Sequence, residues 1–142
     1  MATFISSSPA ETEAIGMQLA EDLDAGSVLA LKGELGSGKT VLTKGLVTGL
    51  GGSAMATSPT FTIVHEYQGG RLPIYHFDFF RLENRGSTER LGLDDYFFHD
   101  GVCVIEWADR FPDLVPAHAR WILFEIKSEH QRIITLPSRS PR

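Results

Sequence analysis

Residues 33–40 read Gly33-Glu34-Leu35-Gly36-Ser37-Gly38-Lys39-Thr40, a complete G-x-x-x-x-G-K-[ST] phosphate loop. Such a loop needs glycine where the backbone curls until successive N–H groups face one polyphosphate. Lys39 adds a point charge, and the Thr40 hydroxyl offers an oxygen to magnesium. The motif also dictates its neighbours, because a strand must lead into it and a helix must leave it. Ser27-Val28-Leu29-Ala30-Leu31 is a short apolar strand before the loop. After it, Val41, Leu42, Gly45, Leu46, Val47 and Leu50 have the spacing of a helix packed on a sheet. A helix starting near Gly38 aims its positive end at the phosphates. Gly36, Ser37, Gly38, Lys39, Thr40 and Val41 are therefore the nucleotide-binding candidates here.

The chain has 142 residues, enough for one good core and short for two. We expect a single domain over 1–137 and a flexible tail over 138–142. No apolar run approaches the roughly 18 residues that span a membrane. The N-terminal residues lack the basic and apolar regions of a secretory signal, and the single cysteine, Cys103, has no partner for an internal disulfide. These features predict a soluble protein of the reducing cytoplasm with no membrane role. Cys103 lies inside an apolar run and reads as buried filler. The net charge of −5 argues against an independent grip on nucleic acid, which depends on concentrated positive charge. An RNA role would have to pass through partners. Arg81, Arg85 and Arg90 form one basic stretch and Arg132, Arg139 and Arg142 another; each reads as a solvated face.

Ser8-Pro9-Ala10-Glu11 combines an N-cap serine, a proline at the first helical position and a glutamate at the capping-box position, which predicts a helix from Pro9 to about Asp22. Gly49-Leu50-Gly51-Gly52 ends the helix that leaves the phosphate loop. Phe61 to Tyr67 and Leu72 to Phe77 read as a hairpin turning at Gln68-Gly69-Gly70, and Glu83 to Leu91 as a charged helix. Val102-Cys103-Val104-Ile105 is a continuous apolar run, the pattern of a central strand covered on both faces. Trp121 to Ile126 and Arg132 to Leu136 predict a closing hairpin.

A phosphate-loop hydrolase also needs a carboxylate at the end of a strand beside the loop, because Thr40 alone cannot fix an octahedral ion. Glu106 follows the apolar run 102–105, and Asp78 follows Ile74-Tyr75-His76-Phe77. One could hold the metal while the other orients or deprotonates the attacking water, and either fits either role. His76 shares a strand face with Asp78 and suits contact with phosphate, bracing of a carboxylate, or plain burial in the core. Trp107 reads as packing. Ser58-Pro59-Thr60-Phe61 stands where a switch segment would, with hydroxyls at the mouth of the site and a proline stiffening its entry.

These segments, together with His76-Phe77-Asp78-Phe79-Phe80-Arg81-Leu82, Asp95-Tyr96-Phe97 and Ile105-Glu106-Trp107-Ala108-Asp109, fall in the order and spacing of the TsaE (YjeE) family, and the chain resembles that family over nearly its whole length. The resemblance implies an ATPase using ATP and Mg2+ that acts with the TsaB and TsaD proteins and a separate threonylcarbamoyl-adenylate synthase. Together these install threonylcarbamoyl on the adenosine beside the anticodon of tRNAs reading codons that begin with A; tRNA is met through the complex. By the same likeness Thr40 and Glu106 hold magnesium, Asp78 is a catalytic or metal-linked carboxylate, Lys39 and Glu106 complete the catalytic set, and Ser58 to Phe61 form a switch. Ser8 and Arg132 resemble positions around adenine, and Trp107 a tryptophan associated with activity. Phe79-Phe80 departs from the usual Leu-Tyr, and the chain is short after Ile126. The expected fold is α/β: one phosphate-loop NTPase domain with a mostly parallel sheet, antiparallel hairpin additions and helices on both faces.

A competing reading is a small-molecule kinase with Arg81, Arg85 and Arg90 as a lid, although the chain is short for a separate acceptor domain. A GTP-dependent switch would be expected to carry an N-K-x-D tetrapeptide, and none occurs. No glutamine or arginine finger stands in a recognisable motif, which predicts slow intrinsic hydrolysis accelerated by a partner.

Overall fold

The computed structural model describes residues 2–34, 36–52, 64–67, 70–79 and 100–136. Its elements, in chain order, are β1 (Ala2–Ser6), α1 (Pro9–Ala20), β2 (Val28–Lys32), α2 (Lys39–Gly49), β3 (Val64–Tyr67), β4 (Ile74–Asp78), β5 (Val102–Glu106), β6 (Arg120–Ile126) and β7 (Arg132–Leu136). Two 3-10 turns, Ala108–Arg110 and Pro112–Leu114, follow β5. The strands form one sheet in the order β1-β7-β6-β2-β5-β4-β3. Its centre is parallel, through β6 with β2, β2 with β5 and β5 with β4. Both edges are antiparallel, and the two expected hairpins are the pairs β3 with β4 and β6 with β7.

The apolar runs 28–31 and 102–105 occupy the middle of the sheet, where both faces of a strand are covered. Alternation along each strand divides their side chains between two cores. Leu29, Leu31, Val102, Val104, Ile122 and Phe124 pack with Leu42, Leu46 and Val47 of α2 and Leu19 of α1. Val28, Ala30, Cys103 and Ile105 pack on the opposite face with Phe77, Phe79 and Ala108. Among the described residues the two α-helices thus cover one face and the 3-10 turns the other.

Helix α1 begins as its sequence dictates. The Ser8 side chain accepts from the Glu11 N–H, Pro9 takes the first turn, and the Glu11 carboxylate accepts from the Ser7 N–H. The helix stops at Ala20, two residues before the expected end, and Arg71 Nη2 donates to the carbonyls of Ala20 and Leu23 beyond the last turn. Strand β1 was not foreseen. It pairs antiparallel with β7, so that Ser6 lies opposite Arg132, and this edge brings Ser8 close to the phosphate loop. The predicted helix 83–91, the switch 58–61, the first residues of the first hairpin (61–63), Asp95-Tyr96-Phe97 and the tail 138–142 lie outside the described residues.

α1 and α2 touch backbone to backbone. A Cβ at Gly45 would stand 2.1 Å from the Glu13 carbonyl oxygen, and one at Gly16 2.3 Å from that of Leu42. Gly45→Ala must push the helices apart and is expected to lose about 2 kcal/mol of stability, a fall in Tm of about 6 °C. Gly51→Ala, where φ is +84° but the nearest atom lies 4.0 Å away, should lose only about 1 kcal/mol. Thermal melts of the two variants check the order.

Cys103 is fully buried, and burial pushes its thiol up to about 12. With the folded value above the unfolded one, the thiol stays protonated at pH 8. Iodoacetamide at that pH should label it only after unfolding; labelling of the folded protein at the rate of a free cysteine would contradict its burial.

Candidate functional site

Strand parity assembles the site. Val102 and Val104 face the helices, so Glu106 at the end of β5 faces them too; Ile74 does the same for His76 and Asp78 on β4. Register sets Asp78 directly opposite Glu106. All three residues stand near the carboxyl ends of parallel strands, where α2 begins, the usual place for a ligand in an α/β sheet. The loop makes its turn with Gly36 at φ +81° and Gly38 at φ +107°, the latter serving as the N-cap of α2. Ser37 is fully buried, and its Oγ has no hydrogen-bond partner among the described residues.

Glu106 is 8% exposed and uses both carboxylate oxygens. Thr40 Oγ1 donates to Oε1 at 2.9 Å, and His76 Nε2 lies 2.9 Å from Oε2. Burial alone would raise the Glu106 pKa; the hydrogen bonds from His76 and Thr40 and the charge on Lys39 outweigh it and hold the carboxyl below its ordinary value. The group is therefore an ionised acceptor, and His76 is the donor.

Lys39 is 5% exposed. Its Nζ donates to the Gly33 carbonyl at 2.6 Å and sits 3.5 Å from the centroid of the Trp107 ring, a cation–π contact. Burial lowers the Lys39 pKa, opposed by the carboxylates of Glu106, Asp109 and Asp78. Trp107, read from sequence as packing, thus bears directly on the loop cation. It is the one non-glycine residue with positive φ, +57°, among the described residues.

Thr40 and Glu106 offer one hydroxyl and one carboxylate, hard oxygens already in contact. Magnesium takes few protein ligands and completes its octahedron with water and substrate phosphates, so this pair fits it. The buried Ser37 hydroxyl and the turned backbone of the loop fit a polyphosphate.

On the other side of the loop lies a cavity of about 360 Å³. Ser8, Gly36, Gly38, Val41 and Arg132 line it together with Thr12, Glu129 and His130. Arg132 Nη1 donates to the carbonyls of Ser128 at 2.9 Å and Gln131 at 3.0 Å, and Nε to that of Gly36 at 3.2 Å. One side chain therefore ties the β6–β7 turn to the phosphate loop. Sequence reasoning missed Thr12, Glu129, His130 and the influence of Asp109. Thr12 stands one helical turn after the cap Ser8, and Glu129 and His130 belong to the turn that Arg132 closes. Arg81, Arg85, Arg90, Arg139, Arg142 and the switch residues Ser58, Pro59, Thr60 and Phe61 lie outside the described residues.

A family model described as "Threonylcarbamoyl adenosine biosynthesis protein TsaE" matches residues 6–134. A Bacillus subtilis (strain 168) protein named tRNA threonylcarbamoyladenosine biosynthesis protein TsaE is 44% identical over 127 residues, 89% of this chain and 79% of its own length. A Treponema pallidum protein of the same name is 37% identical over 132 residues, covering 93% of this chain and 97% of its own. The crystal structure of Bacillus subtilis YdiB superposes with a TM-score of 0.79 at 38% identity, over 95% of this chain and 83% of that one.

Removing the Arg132 guanidinium frees the turn carbonyls. Arg132→Ala should cost the turn about 1 kcal/mol, read as roughly fivefold faster hydrogen exchange at the amides of Lys127 and Gln131. Unchanged exchange there would show that the turn holds itself.

Proposed function

The chain belongs to the TsaE family, and from that premise we propose that it is a magnesium-dependent ATPase. It acts with the TsaB and TsaD proteins in threonylcarbamoyl modification of the adenosine beside the anticodon of tRNAs reading codons that begin with A. The observation that carries this reading is the 2.9 Å hydrogen bond from Thr40 to Glu106, which closes a complete phosphate loop onto a buried, ionised strand-end carboxylate.

In this reading the amides of Gly36 to Thr40 cradle the polyphosphate, and Lys39 neutralises its outer phosphate. Lys39 Nζ has three N–H donors, and Gly33 takes one of them. The adenosine end occupies the cavity beside Ser8, Val41 and Arg132. Thr40 and Glu106 would hold magnesium, which when bound offsets the charge that builds on the phosphate oxygens. Asp78, the register partner of Glu106 at the end of the neighbouring strand, is the acceptor that orients or deprotonates the attacking water. His76 fixes the direction of the Glu106 carboxylate. Ser58 to Phe61 is the switch that reports nucleotide state to the partners. The acidic chain reaches tRNA through those partners, in the cytoplasm; among the described residues no helix is long and apolar enough to cross a membrane.

The test is magnesium-dependent ATP hydrolysis, alone and with purified TsaB and TsaD. Turnover should be slow alone and rise at least about tenfold with both partners, on the pattern of phosphate-loop enzymes completed in trans. Lys39→Ala should abolish tight ATP binding. Glu106→Ala should keep part of the binding and lose hydrolysis, and Asp78→Asn should lose about a hundredfold in turnover with binding spared. Normal hydrolysis by Glu106→Ala, or turnover that ignores the partners and follows a small acceptor, would overturn the reading.

A further inference from the structure

The parity that turns Glu106 and Asp78 toward the helices turns Lys32 of β2 and Leu123 and Glu125 of β6 the other way, since Val28, Ala30 and Trp121 pack in the opposite core. Lys32 and Leu123 are register partners. A groove of about 480 Å³ lies here, at the same end of the sheet as the phosphate loop. Trp107 and Leu123 supply apolar surface to it, and Lys32, Glu34, Asp109 and Glu125 its charges. Leu123 is 39% exposed, unusual for a leucine within a strand of this sheet.

Two observations give the groove a purpose. The charges are unbalanced, three carboxylates against one ammonium, and none of the three lies within ion-pair distance of a cation among the described residues. The groove is also continuous with the residues that hold Lys39. Gly33, whose carbonyl accepts from Nζ, and Trp107, whose ring lies under it, both line the groove. Anything bound there presses on both anchors of the loop lysine without entering the nucleotide cavity.

We propose that this groove is the docking site of an activating protein partner, which inserts an arginine with its stem along Trp107 and Leu123 and its guanidinium between Asp109 and Glu125. Arginine fits better than lysine, because its planar fork presents donors in pairs to carboxylate oxygens, which a single ammonium cannot do. Nucleic acid is disfavoured, since its phosphates would face the three carboxylates. The proposal rests on the partner-activated ATPase reading above. The partner acts on Lys39 from behind, through Trp107 and Gly33, while the bound nucleotide is held from the front.

The experiment titrates TsaB and TsaD against ATP hydrolysis by the full chain, comparing wild type with Glu125→Lys and Leu123→Lys. Both positions are exposed, and a thermal melt of each variant is the check that it folds. Basal turnover should stay within about twofold of wild type, while the partner concentration for half-maximal stimulation rises at least about tenfold, and by less for Glu125→Gln. Stimulation of both lysine variants at wild-type partner concentrations would overturn the groove and leave the ATPase reading standing. A wild type that the partners do not stimulate would instead overturn that reading, and the groove with it. Sedimentation that shows wild-type self-association abolished by Glu125→Lys would assign the groove to a second copy of the chain and likewise overturn the proposal.

Discussion

The hydrogen bond between Thr40 and Glu106 joins residues 66 positions apart, and the site is organised around it. It forms because β2 and β5 are parallel neighbours, so the helix that leaves one strand begins beside the end of the other. It also depends on pleat. A slip of one residue in β5 would turn the carboxylate toward the face covered by the 3-10 turns and put Ile105 against the loop. The wholly apolar run 102–105 accommodates either face, so it is the covering helices, the turns and the flanking strand β4 that fix which way Glu106 points.

Around that bond the protein has buried a lysine, a glutamate and a histidine together. Each is tolerable because of the others: a carboxylate at this depth without donors is destabilising by several kcal/mol, and so is an ammonium without acceptors. That end of the site is consequently held by buried groups that depend on one another. The side toward Arg132 is different in kind. There, an exposed turn is held by hydrogen bonds to backbone carbonyls, each a modest contributor in water. Half of the site is thus fixed by buried electrostatics and half by a turn that solvent can compete for.

Much of this was legible in the sequence because the signals were local. The loop, the Ser8 cap, the apolar runs of β2 and β5 and the two hairpins each declare themselves within a stretch of neighbouring residues. The apolar run before Glu106 set it at a strand end, but a run buried on both faces does not say which way the carboxylate turns. Strand β1 was not legible, because its partner β7 lies at the far end of the chain and five residues with one aromatic carry little alternation of their own. Trp107 packs on the second core, as an aromatic after a core strand should, and only the tertiary fold shows that it also lies against a lysine ammonium. Asp109, Glu129 and His130 come into play through turns whose geometry follows from their surroundings rather than from a periodic pattern.

Trp107 adopts a left-handed backbone, which disfavours a bulky side chain by roughly 1–2 kcal/mol. The two halves of this residue therefore want opposite things: the backbone asks for glycine or asparagine, and the ring is what covers Lys39. Glycine would relieve the backbone but remove the ring from the second core and from the lysine, a loss of about 3–5 kcal/mol that exceeds the strain, so packing alone holds the indole in a conformation its backbone disfavours.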